Sequence, residues 1–143
     1  MPKRRNYDIL PACSMEAALN LINGRWKGVI LYHLLTDGTT RFNELHRRLP
    51  GSTPRLLTKQ LRELEEDGFI NRTIYPVVPP KVEYSLTDEG RTIGPILLQL
   101  RGWGHGWLRR RGLTTLADDV ETNAADTGRF ADGPGAPDMA SAA

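Results

Sequence analysis

Residues 53–86 read TPRLLTKQLRELEEDGFINRTIYPVVPPKVEYSL, and this stretch decides the fold. Its first half is helical. Thr53 is a residue type that caps a helix N-terminus, Pro54 suits the first helical position, and Leu56, Leu57, Leu61 and Leu64 recur at the spacing of an inward face. Asp67-Gly68 ends that helix. The period then changes. Phe69–Tyr75 and Lys81–Leu86 alternate and are rich in β-branched residues, which predicts two strands. Pro76-Val77-Val78-Pro79-Pro80 joins them, and its prolines lack the N–H that would draw the loop into the ladder, so the pair reads as a hairpin with a projecting tip.

Upstream, Met15, Ala18, Leu19 and Ile22 share a helical face that ends at Asn23-Gly24. A second helix runs across Trp26, Val29, Ile30, Leu34 and Leu35 and closes at Asp37-Gly38. A short helix over Phe42, Leu45 and Leu49 stops at Pro50-Gly51. Downstream, Thr87-Asp88-Glu89 caps a last helix with the stripe Ile93, Ile96 or Leu97, Leu100, Trp103 and Trp107. Pro95 is expected to kink it, and Gly102, Gly104 and Gly106 to weaken it by roughly 1 kcal/mol each unless they allow close packing. A short helix, a tight turn and a capped helix form a helix-turn-helix unit, and the hairpin adds a wing. The expected fold is mainly α with a small β-hairpin wing, a winged helix-turn-helix.

The whole chain has 143 residues, a length that suits one domain with a real core. Hydrophobic residues make up 39% and charged residues 25%, an ordinary globular composition. No apolar run has the ~18 residues of a membrane span, and no apolar segment follows the charges of MPKRRNYDIL, so the expected location is the cytoplasm. The single cysteine, Cys13, leaves no internal disulfide, and three histidines leave no cysteine-rich zinc site; no cofactor is expected. The formal net charge of +2 averages two unlike parts. Residues 1–116 hold 18 Lys/Arg against 11 Asp/Glu, whereas residues 117–143 hold Arg129 against six acids. A basic body favours a polyanionic partner. The Ala-, Asp-, Gly- and Pro-rich end has too few large apolar side chains to fold. The expected organisation is a flexible basic arm at 1–12, a domain at 13–112 and a disordered acidic tail at 113–143.

Removing the leucines from the capped helix leaves Thr53, Arg55, Thr58, Lys59 and Arg62 facing outward, with acids only from Glu63, Glu65, Glu66 and Asp67. A solvated charged face is the plain alternative. It is disfavoured because this order opposes the helix dipole, which prefers acids at the N-terminus and cations at the C-terminus. A polyanionic ligand explains it, since hydroxyls reach bases or phosphates and Arg binds guanine bidentately. Lys81 in the wing, Arg72 in its strand, and Arg41 and Lys27 at helix starts are further candidate DNA contacts. An enzyme is not expected: no Gly-rich loop follows a strand, His33, His46 and His105 are far apart, and Ser52 has no evident base. A winged helix that binds protein would carry an apolar or acidic outward face instead.

From Cys13 to Gly104 the chain resembles the HxlR-type family of winged-helix transcriptional regulators, relatives of the MarR group. The residues that carry the likeness are Cys13 with Glu16-Ala17-Ala18-Leu19, then Ile22-Asn23-Gly24-Arg25-Trp26-Lys27 and Arg41-Phe42-Asn43-Glu44-Leu45. They continue through Leu56-Leu57-Thr58-Lys59-Gln60-Leu61-Arg62-Glu63-Leu64-Glu65-Glu66-Asp67-Gly68. Tyr75-Pro76, Pro79-Pro80, Val82-Glu83-Tyr84-Ser85-Leu86-Thr87 and Gly90 complete the set. Leucine spacing of this kind is common; the proline wing running into VEYSLT is specific. Ser14 departs from the pattern, in which proline is expected, and the tail lies outside it.

The resemblance implies a homodimer that binds double-stranded operator DNA, joined through the terminal helices at roughly 15–22 and 87–111. The candidate interface is Met15, Leu19, Ile22, Ile96, Leu100, Trp103 and Trp107, against the alternative that the two tryptophans cover their own core. Such a dimer fits an inverted repeat and represses simply by blocking polymerase; activation stays open. Cys13 precedes a helix, with Arg4 and Arg5 near in sequence, and both effects favour the thiolate. The resemblance makes it a candidate sensor of oxidants or electrophiles, because some family members use a cysteine there. The alternatives are a structural Cys13 and a small-molecule effector held at the dimer interface near Trp26, Trp103 or Trp107.

Overall fold

The computed structural model describes residues 13–115. The elements are α1 (Ser14–Leu21), α2 (Lys27–Asp37), β1 (Thr40–Arg41), α3 (Phe42–Arg48), α4 (Pro54–Glu66), β2 (Ile70–Tyr75), β3 (Lys81–Leu86), α5 (Asp88–Arg91) and α6 (Gly94–Arg110). They fall into two compact units, one ending at Gly94 and one beginning at Pro95. The expected basic arm and all but residues 113–115 of the expected acidic tail lie outside the described residues.

In the first unit, α2, α3 and α4 pack around Ile30, Leu31, Leu34, Leu45, Leu49, Leu57, Leu61 and Leu64, all fully buried. Leu56 is half-buried and Val29 is exposed, so the inward faces of α4 and α2 are narrower than their apolar residues suggest. α3 and α4 are joined by a tight turn: the Ser52 amide and hydroxyl both donate to the Leu49 carbonyl, at 3.0 and 2.7 Å. His46 Nε2 lies 3.2 Å from the Ser52 carbonyl oxygen and ties α3 to the far side of that turn.

The hairpin is antiparallel in the register Ile70↔Leu86 to Tyr75↔Lys81. The sheet has a third strand that the sequence reading did not include. β1 pairs with β3 through Thr40↔Tyr84 and Arg41↔Glu83, giving the order β1-β3-β2. Two residues carry too little pattern to register as a strand, and only the ladder offered by β3 makes them one. The core contributions of this layer are Phe69, Ile70, Tyr84 and Leu86; beyond Ile70 the residues of β2 are exposed, as a projecting wing requires.

The expected single last helix is two. Thr87 caps α5 by accepting from the Gly90 amide at 2.9 Å, and α5 ends at Arg91. Pro95 then stands in the first turn of α6 and starts that helix; it does not kink a longer one. A proline there gives up an N–H that has no intrahelical partner anyway. α6 runs on through Gly102, Gly104 and Gly106 to Arg110. A Cβ at Gly104 would meet nothing within 4 Å, so that glycine serves no close approach among the described residues.

Candidate nucleic-acid interface

Helix α4 begins as its sequence dictates, with the Leu56 amide donating to Thr53 Oγ1 at 3.2 Å and Pro54 in the first turn. Its first turn holds no acid. At 100° per residue Arg55, Lys59 and Arg62 lie within an arc of about 60°, on the side away from buried Leu57, Leu61 and Leu64. All three cations are exposed, and neither Arg55 nor Lys59 is ion-paired among the described residues. The hydroxyls are less available. Thr53 holds the cap, and Thr58 Oγ1 donates to the Pro54 carbonyl at 2.7 Å, which leaves it only acceptor capacity. The structure therefore presents a row of three cations, while both hydroxyls have structural duties.

The wing cations are engaged. Lys81 Nζ sits 2.9 Å from Glu83 Oε1 and 4.7 Å from the centre of the Tyr75 ring, while the Tyr75 hydroxyl donates to Glu83 Oε2 at 3.2 Å. Lys81 holds the Glu83 carboxyl below the usual carboxylate range, and Arg41, opposite Glu83 across β1 and β3, adds to the effect. Arg72 pairs in register with Tyr84. Burial pushes the Tyr84 hydroxyl up, partly countered by Arg72. The tip itself carries no charge, and Val77 and Val78 are exposed there.

Lys27 is not a surface cation. It is 5% exposed, and its Nζ lies 2.5 Å from Glu63 Oε2 on α4. Packing of α2 against α4 buries it, which corrects the surface placement expected from its position at a helix start. Sequence reasoning also missed Gln60, which is 6% exposed and accepts from the Trp26 amide at 2.9 Å. The available signal was a polar residue set at the edge of the leucine face of α4.

Cys13 is exposed and free, in extended conformation immediately before α1, and its side chain makes no capping bond; Arg4 and Arg5 lie outside the described residues. α1 buries no residue, and Met15 is 65% exposed. On α6, Ile96, Leu100, Trp103 and Trp107 form one exposed stripe, with Trp103 66% exposed. Trp107 is 36% exposed, with the Arg111 guanidinium 3.9 Å from the centre of its ring. Trp26, by contrast, is buried, and its indole Nε1 has no acceptor among the described residues, so packing holds the side chain.

A helix-turn-helix with a wing on its sheet and a cationic row along the second helix defines the class: a winged-helix DNA-binding regulator. The chain belongs to the HxlR-like helix-turn-helix family, whose model matches residues 21–112. It is 52% identical over 103 residues to the uncharacterized HTH-type transcriptional regulator YdeP of Bacillus subtilis (strain 168), an alignment covering 72% of this chain and 80% of that protein. Among solved structures it is similar to the redox regulator HypR in its oxidized form, with TM-score 0.61 and 55% identity over 64% of this chain and 94% of HypR. Diamide-treated YodB from B. subtilis gives TM-score 0.54 at 33% identity, covering 66% of this chain and 93% of YodB. The relatives are transcriptional regulators, not enzymes. Among the described residues no helix is long and apolar enough to cross a membrane.

Proposed function

We propose that the chain binds operator DNA as a homodimer, lays its two α4 helices in successive major grooves about 34 Å apart on an inverted repeat, and represses transcription by occupying that DNA. The observation that carries this reading is the row Arg55, Lys59 and Arg62, exposed and opposite the leucine face. Arg41, Arg72 and Lys81 support it from the sheet as phosphate contacts, and Thr53 and Thr58 as acceptors. The regulatory domain is residues 13–112, flanked by an arm and a tail, in the cytoplasm.

Dimerisation rests on Met15, Leu19, Ile22, Ile96, Leu100, Trp103 and Trp107. α1 leaves Met15 and Leu19 uncovered, and α6 leaves Ile96, Leu100, Trp103 and Trp107 uncovered; each is the kind of surface that marks an association site. Cys13 is the sensor of this reading, supported by its exposure and by similarity to redox regulators. Oxidation joins the Cys13 thiol to the partner chain's thiol or to a small thiol: one S–S bond forms, and two protons and two electrons pass to the oxidant. The altered dimer geometry releases DNA.

The test starts from a random duplex pool. The wild-type protein is expected to enrich sites with two half-sites whose centres are about 10 base pairs apart or a multiple of that. Enrichment of sites without dyad symmetry refutes the dimeric reading. Anisotropy titrations on the enriched duplex are then run with and without diamide. Release of wild type but not of Cys13→Ser is expected. Binding by both, unmoved by oxidant, demotes Cys13 to packing and turns the search for a signal to a small molecule at the dimer interface.

A further inference from the structure

The N-terminus of α2 is capped by another helix. Its N-cap residue, Trp26, provides no side-chain capping bond, and its first residue is a lysine, a charge that the positive end of a helix dipole disfavours. A buried lysine is also costly to desolvate unless a carboxylate meets it. Both needs are met from α4. Gln60 Oε1 accepts from the Trp26 amide at 2.9 Å, and Glu63 Oε2 meets Lys27 Nζ at 2.5 Å.

Gln60 and Glu63 are three residues apart, about one turn, on the flank of α4 between its leucine face and its cation row. Leucines alone are poor at fixing the rotation of a helix about its axis, because dispersion contacts are non-directional. A hydrogen bond and an ion pair on one flank are directional. The chain entering α2 is fitted to this arrangement. Gly24 has φ +119°, and a Cβ there would stand 2.9 Å from Gln60 Nε2.

We propose that Lys27 is a positioning residue: with Glu63 and the Gln60–Trp26 bond it clamps the rotation of α4, and thereby sets sequence discrimination without touching DNA. The inference rests on α4 being the helix that reads DNA. Loosening the clamp rotates Arg55, Lys59 and Arg62 away from their bases, while their charge still attracts any duplex.

The test compares a duplex selected by the wild-type protein with a scrambled duplex, each titrated over a range of salt. Thermal unfolding is followed alongside. Lys27→Met is expected to weaken the selected duplex about tenfold, a loss of the size of one mismatched base pair, and to leave the scrambled duplex unchanged. The slope of log affinity against log salt stays as in wild type. A slope shallower by about 0.9 overturns the proposal, because Lys27 then neutralises a phosphate itself. An unchanged ratio between the two duplexes also overturns it, since the clamp then serves stability alone. Glu63→Gln keeps the shape of the side chain and is expected to lose discrimination likewise; full discrimination in that variant refutes the clamp even where Lys27→Met does not fold. Arg55→Ala separates the two failures. If it changes neither duplex, the assignment of α4 falls. If it weakens the selected duplex while Lys27→Met and Glu63→Gln do not, only the clamp falls.

Discussion

Arg55→Ala combined with Lys59→Ala is expected to weaken binding to a selected duplex by about 100-fold, with unfolding temperature nearly unchanged. A good bidentate arginine–base pairing is worth about 1–3 kcal/mol, and a neutralised phosphate adds a counterion-release term to that loss. Both side chains are exposed and without ion pairs among the described residues, so their removal deprives the fold of no partner. Alanine is also a better helix former than either. The salt dependence is diagnostic: the slope should fall by about 0.9 for each phosphate that is no longer neutralised. An unchanged affinity and slope, measured by anisotropy, would move the DNA to another face of the domain and sink the reading of α4. A large loss of affinity with an unchanged slope would instead assign both residues to bases.

The largest expected effect on stability comes from Gly90→Ala. A Cβ at this position would lie 2.1 Å from the Phe69 carbonyl oxygen and 3.0 Å from its carbon, both backbone atoms that cannot swing aside as a side-chain end can. The same carbonyl accepts from the Thr87 amide at 3.0 Å, and the Thr87 hydroxyl donates to the Gly68 carbonyl at 2.5 Å while capping α5. Displacing Phe69 therefore loosens the end of α4, the base of the wing and the start of α5 together. The expected cost is about 3 kcal/mol, the upper end of ordinary overpacking, which lowers the unfolding temperature of a domain this size by about 15 °C. Gly28→Ala is the control, a helical glycine with nothing within 4 Å of the added carbon. It is expected to be neutral or slightly stabilising. A Gly90→Ala protein that melts like wild type in a calorimeter would mean that the Phe69–Gly90 approach is not the constraint described.

These three positions differ in how far they can be read before the fold is known. Arg55 and Lys59 stand in a helix bounded by Thr53-Pro54 and Asp67-Gly68, and periodicity alone places them opposite the leucines. Gly90 is quoted easily as part of a pattern, yet its physical reason is a backbone carbonyl 21 residues away in sequence, which no local rule reveals. The same division runs through the rest of the molecule. Thr87 is read correctly as a cap because capping is local, whereas the length of the helix it caps is not. The wing prolines announce a hairpin, but the partners of Lys81 and Arg72 depend on cross-strand register.

The sequence by itself therefore determined the winged helix-turn-helix, the boundaries of α4 and the cation row on it. Caps, turns and hydrophobic periods act over one or two turns of chain, and a run of basic residues keeps its sign wherever it folds. Only the tertiary structure decided that Thr40–Arg41 is a strand, that Asp88–Arg91 and Gly94–Arg110 are separate helices, and that Lys27 is buried against Glu63. Each of those depends on what another element brings within hydrogen-bond reach. Burial converts a charge from a surface group into an internal pair, and burial is a property of packing, not of any short stretch of sequence.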